Sequence, residues 1–598
     1  MDMVKLTIDS LQVEVPKGTT ILAAAKKCNI DIPTLCFHPD QEIKANCRVC
    51  VVEVEGQRVL QPACAYPVGE GMVVHTNTSI VRESRKIIVE LLLAHHSQDC
   101  LNCDRNQNCE LQSLAYKLNI KENRFPIVVR DMARDTSSYS VIRDPAKCIL
   151  CGRCVYACSV TQTVHALAKE NRGFDTIVTP SFGKPLGESV CINCGQCVLA
   201  CPVGALVEKD DTQDVWDVLS EKDKWDKMLC TYDSCFLSSD ESTKKRKWTA
   251  VQTAPAVRIG LGEAFGMPAG SISTGKMVAA LRRLGFDAVF DTDFTADLTI
   301  LEEGNELLER LQHGGTLPMI TSCSPGWIKF CEQFYPDFIP NLSSCKSPQQ
   351  MFGALLKTYY ADKIGKNSAD IFSVSIMPCT AKKFECKRPE MQSTDSGFDI
   401  DVVLTVRELA KMIREAGINW DELDDEEFDL PFGIGSGAGE IFGASGGVME
   451  AALRTVYEVV TGDELQHLDF EGVRGFDGIK EATVDLKGTE VKVAVVNSLG
   501  SARKLLDAIR AGEKTYHFIE VMACPGGCIG GGGQPIPATI DVRLKRMAAV
   551  YEEDKNMCVR QSHKNPVVDV LYKEFLGKPL GEKSHHLLHT HYTRRNDM

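Results

Sequence analysis

Two near-identical cysteine runs constrain this chain more than any other feature. Cys148, Cys151, Cys154 and Cys158 are spaced x2, x2, x3, and Cys191, Cys194, Cys197 and Cys201 repeat the spacing about 43 residues on, with Pro202 directly behind. A repeat of this kind predicts a pseudo-twofold unit over 139–210. The chain has 26 cysteines in 598 residues, too few for a disulfide scaffold, yet 16 of them fall in the first 201 residues. The opening residues show neither a basic leader nor an apolar segment, and no run of about 18 apolar residues occurs, so the expectation is a cytoplasmic protein with no membrane span. In a reducing compartment such a framework binds metal or does catalysis. The balance of 67 basic and 81 acidic residues, −14 in net charge, argues against a nucleic-acid partner.

The doubled run is the two-cluster 4Fe-4S ferredoxin pattern, in which the fourth cysteine of each run serves the other cluster. Cys148, Cys151, Cys154 and Cys201 are therefore expected to hold one cluster, and Cys191, Cys194, Cys197 and Cys158 the other. Ahead of them, Cys36, Cys47, Cys50 and Cys64 match the plant-type 2Fe-2S pattern in kind though not in spacing; zinc is the alternative, but a zinc ribbon offers two Cys-x-x-Cys knuckles and only one is present. His96, Cys100, Cys103 and Cys109 form a further group, read as a third 4Fe-4S site with one imidazole ligand, and His95 competes with His96 for that place. Such carriers in series predict an electron wire ending at a redox site or partner.

The organisation follows the cysteines. Residues 1–78 read as a 2Fe-2S domain that opens with a strand, a turn and a strand over 4–15 and a helix over 20–27. Residues 79–138 read as a helical His/Cys3 domain, 139–210 as the two-cluster unit, and 211–248 as a linker with a surface loop around Cys230 and Cys235. Over 249–545, β-type runs such as 493–497 alternate with helical patterns such as 301–312 and 402–416, the signature of a large α/β domain. A C-terminal helical segment, 546–598, ends in a His-rich tail. The fold class is thus multidomain α+β and α/β.

Three segments of the α/β region set cysteine among Gly and Pro: Thr321-Ser-Cys-Ser-Pro-Gly-Trp327, Met377-Pro-Cys-Thr-Ala-Lys-Lys-Phe-Glu385, and Glu520-Val-Met-Ala-Cys-Pro-Gly-Gly-Cys-Ile-Gly-Gly-Gly-Gly-Gln-Pro535. Together they resemble the signature loops of iron-only (FeFe) hydrogenases, and the front half is similar to the accessory modules of that family's larger members. The resemblance runs over about 1–595 and implies ferredoxin-like iron-sulfur modules followed by a hydrogenase catalytic domain that interconverts two protons and two electrons with H2. It implies an H-cluster, a 4Fe-4S cube joined by a bridging cysteine to a two-iron unit with CO, CN and a dithiolate amine. By motif position Cys379, Cys524 and Cys528 would bind the cube, Cys528 bridging. Lys382 would donate to one cyanide, the backbone at Ala254 and Pro255 would flank the other, and Met377 and Met522 would pack about the two-iron unit. Implied partners are ferredoxin or a flavin-bearing, NAD(P)-linked subunit, with H-cluster assembly proteins.

One position departs from the family pattern, Thr-Ser-Cys-Cys-Pro, because Ser324 stands where a cube ligand is expected, and serine is a poor substitute for a soft thiolate. Cys323, Cys345 or Ser324 could supply the ligand. In its usual place Cys323 is the proton donor. Glu303, Glu306 and Arg310 share one helical face and, with Ser343, resemble the family's proton relay, while Glu302 and Glu309 read as a solvated face. Ser324 also keeps open a non-catalytic redox or H2-sensing protein on the same fold. The front half alone resembles the input modules of complex I and some formate dehydrogenases, but the three cysteine loops speak against that. The glycines of 433–440 read as close-packed backbone and not as a dinucleotide fingerprint. Cys28, Cys331, Cys386 and Cys558 read as ordinary thiols.

Overall fold

The structure is a computed structural model that describes residues 2–220, 247–465, 467–486 and 488–595. Cys230 and Cys235 lie outside the described residues. The chain divides into two compact units, one made of Met1–Thr161, His165–Cys191 and Gln196–Glu208, the other of Gln162–Val164, Ile192–Gly195 and Lys209–Met598.

The first unit opens on the expected hairpin. Strands Met3–Ile8 and Leu11–Pro16 pair antiparallel, Ile8 opposite Leu11, and Asp9 and Ser10 both take positive φ, 46° and 73°, as a two-residue turn that follows the strands' twist requires. They join Val73–His75, Val51–Val54 and Gln61–Pro62 in a five-stranded sheet. Helix Ile21–Lys27 begins where the Thr20 hydroxyl accepts the Ala23 N–H, a cap that satisfies an otherwise orphaned donor. Helices Ser79–Ala94 and Glu110–Lys117 follow. The cysteine repeat is closed at its ends by the antiparallel pair Val141–Arg143 and Leu206–Glu208.

The second unit is built on two four-stranded sheets. One runs Ala288–Asp291, Trp248–Thr253, Ile371–Met377, Val402–Thr405, parallel throughout. The other runs Met319–Ile320, Phe518–Met522, Thr489–Asn497, Ile479–Leu486, parallel except for the last pair. The expected helical pattern over 402–416 is corrected here: Val402-Val-Leu-Thr405 is a buried strand, and helix Val406–Glu415 starts only after the Thr405–Glu408 capping box. Three consecutive β-branched or aliphatic residues, buried on both sides, suit a central parallel strand. Helix Thr212–Ser220 occupies the first part of the 211–248 stretch, and Trp248 already belongs to a strand. The glycines near 435 do pack against backbone and side chains; a Cβ at Gly439 would come within 2.7 Å of the Asp293 carbonyl. No helix among the described residues is long and apolar enough to cross a membrane.

Candidate active site and cluster sites

In α/β sheets ligands bind beyond the carboxyl ends of parallel strands, and here four strand ends from two sheets converge. Ala254 and Pro255 follow Trp248–Thr253, Pro378 and Cys379 follow Ile371–Met377, Cys323 lies three residues past Met319–Ile320, and Ala523 and Cys524 follow Phe518–Met522. These residues line one cavity of about 90 Å³, together with Met377, Met522, Lys382, Ser324, Cys528 and Cys194. The glycines make the approach feasible: a Cβ at Gly531 would run into the Pro378 carbonyl oxygen, and Gly527, at φ +90°, would press on the Ser445 nitrogen at 2.6 Å. Only glycine lets the 524–533 loop lie this close to the 378–379 turn.

The Lys382 ammonium donates to the Cys323 carbonyl at 3.2 Å and to Glu385 at 2.8 Å. Burial pushes the Cys323, Cys379 and Cys528 thiols up, Cys528 to about 12, while Lys382 works against the rise at all three. Thiols this deeply buried are inert unless a metal takes their protons. Five thiols, one cation and an apolar lining fit a thiolate-held iron centre with anionic outer ligands.

Ser324 lies on the cavity wall, and its hydroxyl accepts the Ala523 N–H at 3.3 Å. Cys345 is not brought to this cavity. It is fully buried elsewhere, its thiol 3.8 Å from the Glu306 carboxylate.

Glu303 and Glu306 are both buried. Burial raises the Glu303 carboxyl to about 8, against a bond from Ser343. Ser343 donates to Glu306 at 3.2 Å, and Arg310 donates to Glu306 at 2.6 Å. Glu303 is also the charge that acts most on Cys323 after burial, so the four expected residues form one connected set behind the Cys323 loop. Glu309 is exposed, but Glu302 is not the solvated residue expected: it is completely buried and accepts from Tyr572, Ser584, Leu580 and His589. Its partners lie about 270 residues away in sequence, out of reach of helical periodicity.

In the first unit the cysteine groups assemble as follows. Asn46 and Cys47 donate backbone N–H groups to Cys36 at 3.2 and 3.4 Å. A thiol bond from Cys47 lowers Cys36 to about 5, and one from Cys64 lowers Cys50 to about 7, so the four lie in contact as two pairs. Cys148, Cys151, Cys154 and Cys201 line one pocket, the crossed grouping expected of a doubled run. Cys158 feels the charge of Cys191 and its sulfur accepts the Ala166 N–H at 3.2 Å. His96 is buried, its Nδ1 without a hydrogen-bond partner among the described residues, whereas His95 bonds the Val128 carbonyl at 3.2 Å. A buried ring nitrogen left open is what a metal ligand needs. The groups also touch through their loops. The loop of the first meets the third through Asn46 to the Leu150 carbonyl at 3.1 Å, and the second meets it through the Glu110 N–H to the Pro202 carbonyl at 2.9 Å.

Comparison with known proteins identifies the family and its modules. Residues 247–532 match the C-terminal domain of the iron only hydrogenase large subunit, and 540–595 match the iron hydrogenase small subunit. Residues 1–79 match a 2Fe-2S iron-sulfur cluster binding domain, 85–124 the NADH-ubiquinone oxidoreductase-G iron-sulfur binding region, and 147–205 a 4Fe-4S dicluster domain. The chain is 50% identical to the NADP-reducing hydrogenase subunit HndD of Solidesulfovibrio fructosivorans over all of both chains. It is 41% identical to iron hydrogenase 1 of Clostridium pasteurianum over 99% of this chain and 100% of that one. Among solved structures, a variant of the FeFe-hydrogenase HydA1 of Chlamydomonas reinhardtii superposes with a TM-score of 0.56 at 43% identity, covering 64% of this chain and 99% of that one. The chain belongs to the iron-only (FeFe) hydrogenase family.

Proposed function

We propose that Cys379, Cys524 and Cys528 would hold the H-cluster, with Ser324 on the same cavity wall as the candidate for the remaining ligand place and Cys323 kept free as a thiol. The convergence of the three cysteine loops and Lys382 on one cavity, with Glu303 beside Cys323, carries this reading. When bound, the H-cluster supplies the open iron at which H2 is made or split. The protein's own part is positioning and proton supply. Lys382 would present a cation to an anionic outer ligand, the backbone at Ala254 and Pro255 would flank the group, and Met377 and Met522 would keep water from it.

Cys323 holds a proton at its Sγ, Glu303 reloads it, and Ser343 connects Glu303 to Glu306. Glu303, raised to about 8, is protonated near neutral pH and so can give as well as take, as a relay group must.

Electrons would come through one 2Fe-2S cluster on Cys36, Cys47, Cys50 and Cys64 and three 4Fe-4S clusters, one of them on His96, Cys100, Cys103 and Cys109. HndD is named as a subunit of an NADP-reducing hydrogenase; for this chain a flavin-bearing, NAD(P)-linked partner follows by likeness, with ferredoxin as the other donor.

The ligand assignment is tested by Cys323→Ser and Ser324→Cys. Cys323→Ser should keep its full iron content and lose turnover by roughly a hundredfold or more. Ser324→Cys should change the electron paramagnetic resonance signal of the cube. Loss of the cube in Cys323→Ser would assign Cys323 as a ligand instead.

A further inference from the structure

The segment matching the small subunit reaches into the relay. Ser344, Cys345 and Lys346 run antiparallel to residues 588–590: the Lys346 N–H donates to the Leu588 carbonyl and the Thr590 N–H to the Ser344 carbonyl, both at 2.7 Å, with Cys345 opposite His589. This pairing sets the His589 imidazole, itself buried, between two carboxylates of helix Asp293–His313. Its Nδ1 lies 2.8 Å from the Ser344 hydroxyl, which donates to Glu306 at 3.1 Å, and its Nε2 lies 3.1 Å from Glu302. Glu306, Ser344, His589 and Glu302 thus form one continuous hydrogen-bonded line. The exposed His585 stacks on His589 with ring centroids 4.7 Å apart and planes 1° from parallel.

We propose that His589 is a proton-holding group of the relay, exchanging protons with Glu306 through the Ser344 hydroxyl. The inference rests on the reading of Glu303, Ser343 and Glu306 as the relay. Besides Ser343, which leads back to Glu303, and the Cys345 thiol, Glu306 meets Arg310, and a guanidinium keeps its charge and cannot pass a proton on. Imidazole changes charge near neutral pH and can accept at one nitrogen while donating at the other. The hop balances: protonated His589 gives its Nδ1 proton to the Ser344 oxygen as Ser344 gives its own to the Glu306 carboxylate, leaving neutral His589 and protonated Glu306. Glu302 is the counter-charge for the imidazolium. Burial would raise its carboxyl, but bonds from His589, Ser584 and Tyr572 hold it below the usual range. The titratable groups facing His589 are therefore Glu302 and Glu306 of helix Asp293–His313, Cys345, Tyr572 and His585, with Arg310 behind Glu306.

The test uses full-length matured enzyme carrying His589→Ala, Ser344→Ala and Glu306→Gln, each checked for unchanged iron-bound CO and CN infrared bands and melting temperature. His589→Ala and Ser344→Ala should each lower H2 turnover roughly tenfold, the double variant should be no slower than either, and added imidazole should restore His589→Ala. In protein lacking the two-iron unit, the carboxyl C=O band that Glu306→Gln removes should titrate at a different pH in His589→Ala. Full turnover and an unmoved titration in His589→Ala, with Glu306→Gln inactive, would overturn the inference and leave the relay standing. Full turnover in Glu306→Gln would overturn the relay and the inference with it. Should His589→Ala fail to fold, Ser344→Ala with the same infrared titration decides by itself.

Discussion

The Lys382 ammonium donates to the Cys323 carbonyl at 3.2 Å, so one side chain ties the second cysteine loop to the first while its charge sits on the wall of the shared cavity. Position and charge arrive together because helix Ala381–Glu385 begins two residues after Cys379. Lys382→Met keeps the length and removes the cation. Turnover should fall by about 10²–10³, the usual cost of deleting a fixed electrostatic donor, and the cyanide infrared bands should move. Glu385 keeps Ser347 and Gln349 as donors, so the fold should survive, as circular dichroism would show.

Glu303 makes stability depend on pH in a stated direction. Its folded value of about 8 lies above the ordinary 4.5, so between these limits the folded chain binds a proton that the unfolded chain has lost. The resulting stabilisation is fully present below about 4.5 and is lost as pH rises through 8. Glu303→Gln cannot ionise. Its melting temperature relative to wild type should therefore climb from pH 5 to pH 9; a constant difference would contradict the burial account.

Cys201 shares a pocket with Cys148, Cys151 and Cys154, not with the run in which it stands. Cys201→Ser should remove about four irons per chain and the resonance signal of the cluster held by the first run. Loss of the second run's signal would contradict the crossed grouping.

Gly531 faces the Pro378 carbonyl with no room for a Cβ. Gly531→Ala should force the Cys528 loop off the Cys379 turn, with loss of the two-iron infrared bands at retained accessory-cluster iron. Gly472, with nothing within 4 Å of its Cβ position, is the control, and Gly472→Ala should behave as wild type.

Much of the candidate site is legible in sequence because its chemistry is local. The spacing of Cys148 to Cys201 dictates its own crossed grouping, and Cys379, Cys524 and Cys528 stand out by their Gly- and Pro-rich motifs. What escapes is whatever depends on contacts distant in sequence. Glu302 looks solvated by helical periodicity, but Tyr572, Ser584 and His589 cover it. His589 sits in a tail that reads as His-rich and featureless until its pairing with Ser344–Lys346 is seen. Val402–Thr405 reads as helix because a buried strand and a buried helical turn share the same apolar run. Cys194 lines the catalytic cavity as well as belonging to a ferredoxin run, a double placement that no spacing reveals.

The central claim, that a chain with Ser324 in its first cysteine loop is a working hydrogenase, is tested most directly by H2 turnover of anaerobically purified, fully matured protein, with iron-bound CO and CN bands recorded on the same sample. The account predicts the full band set and H2 evolution from a low-potential reductant. The full band set with no H2 turnover would contradict it.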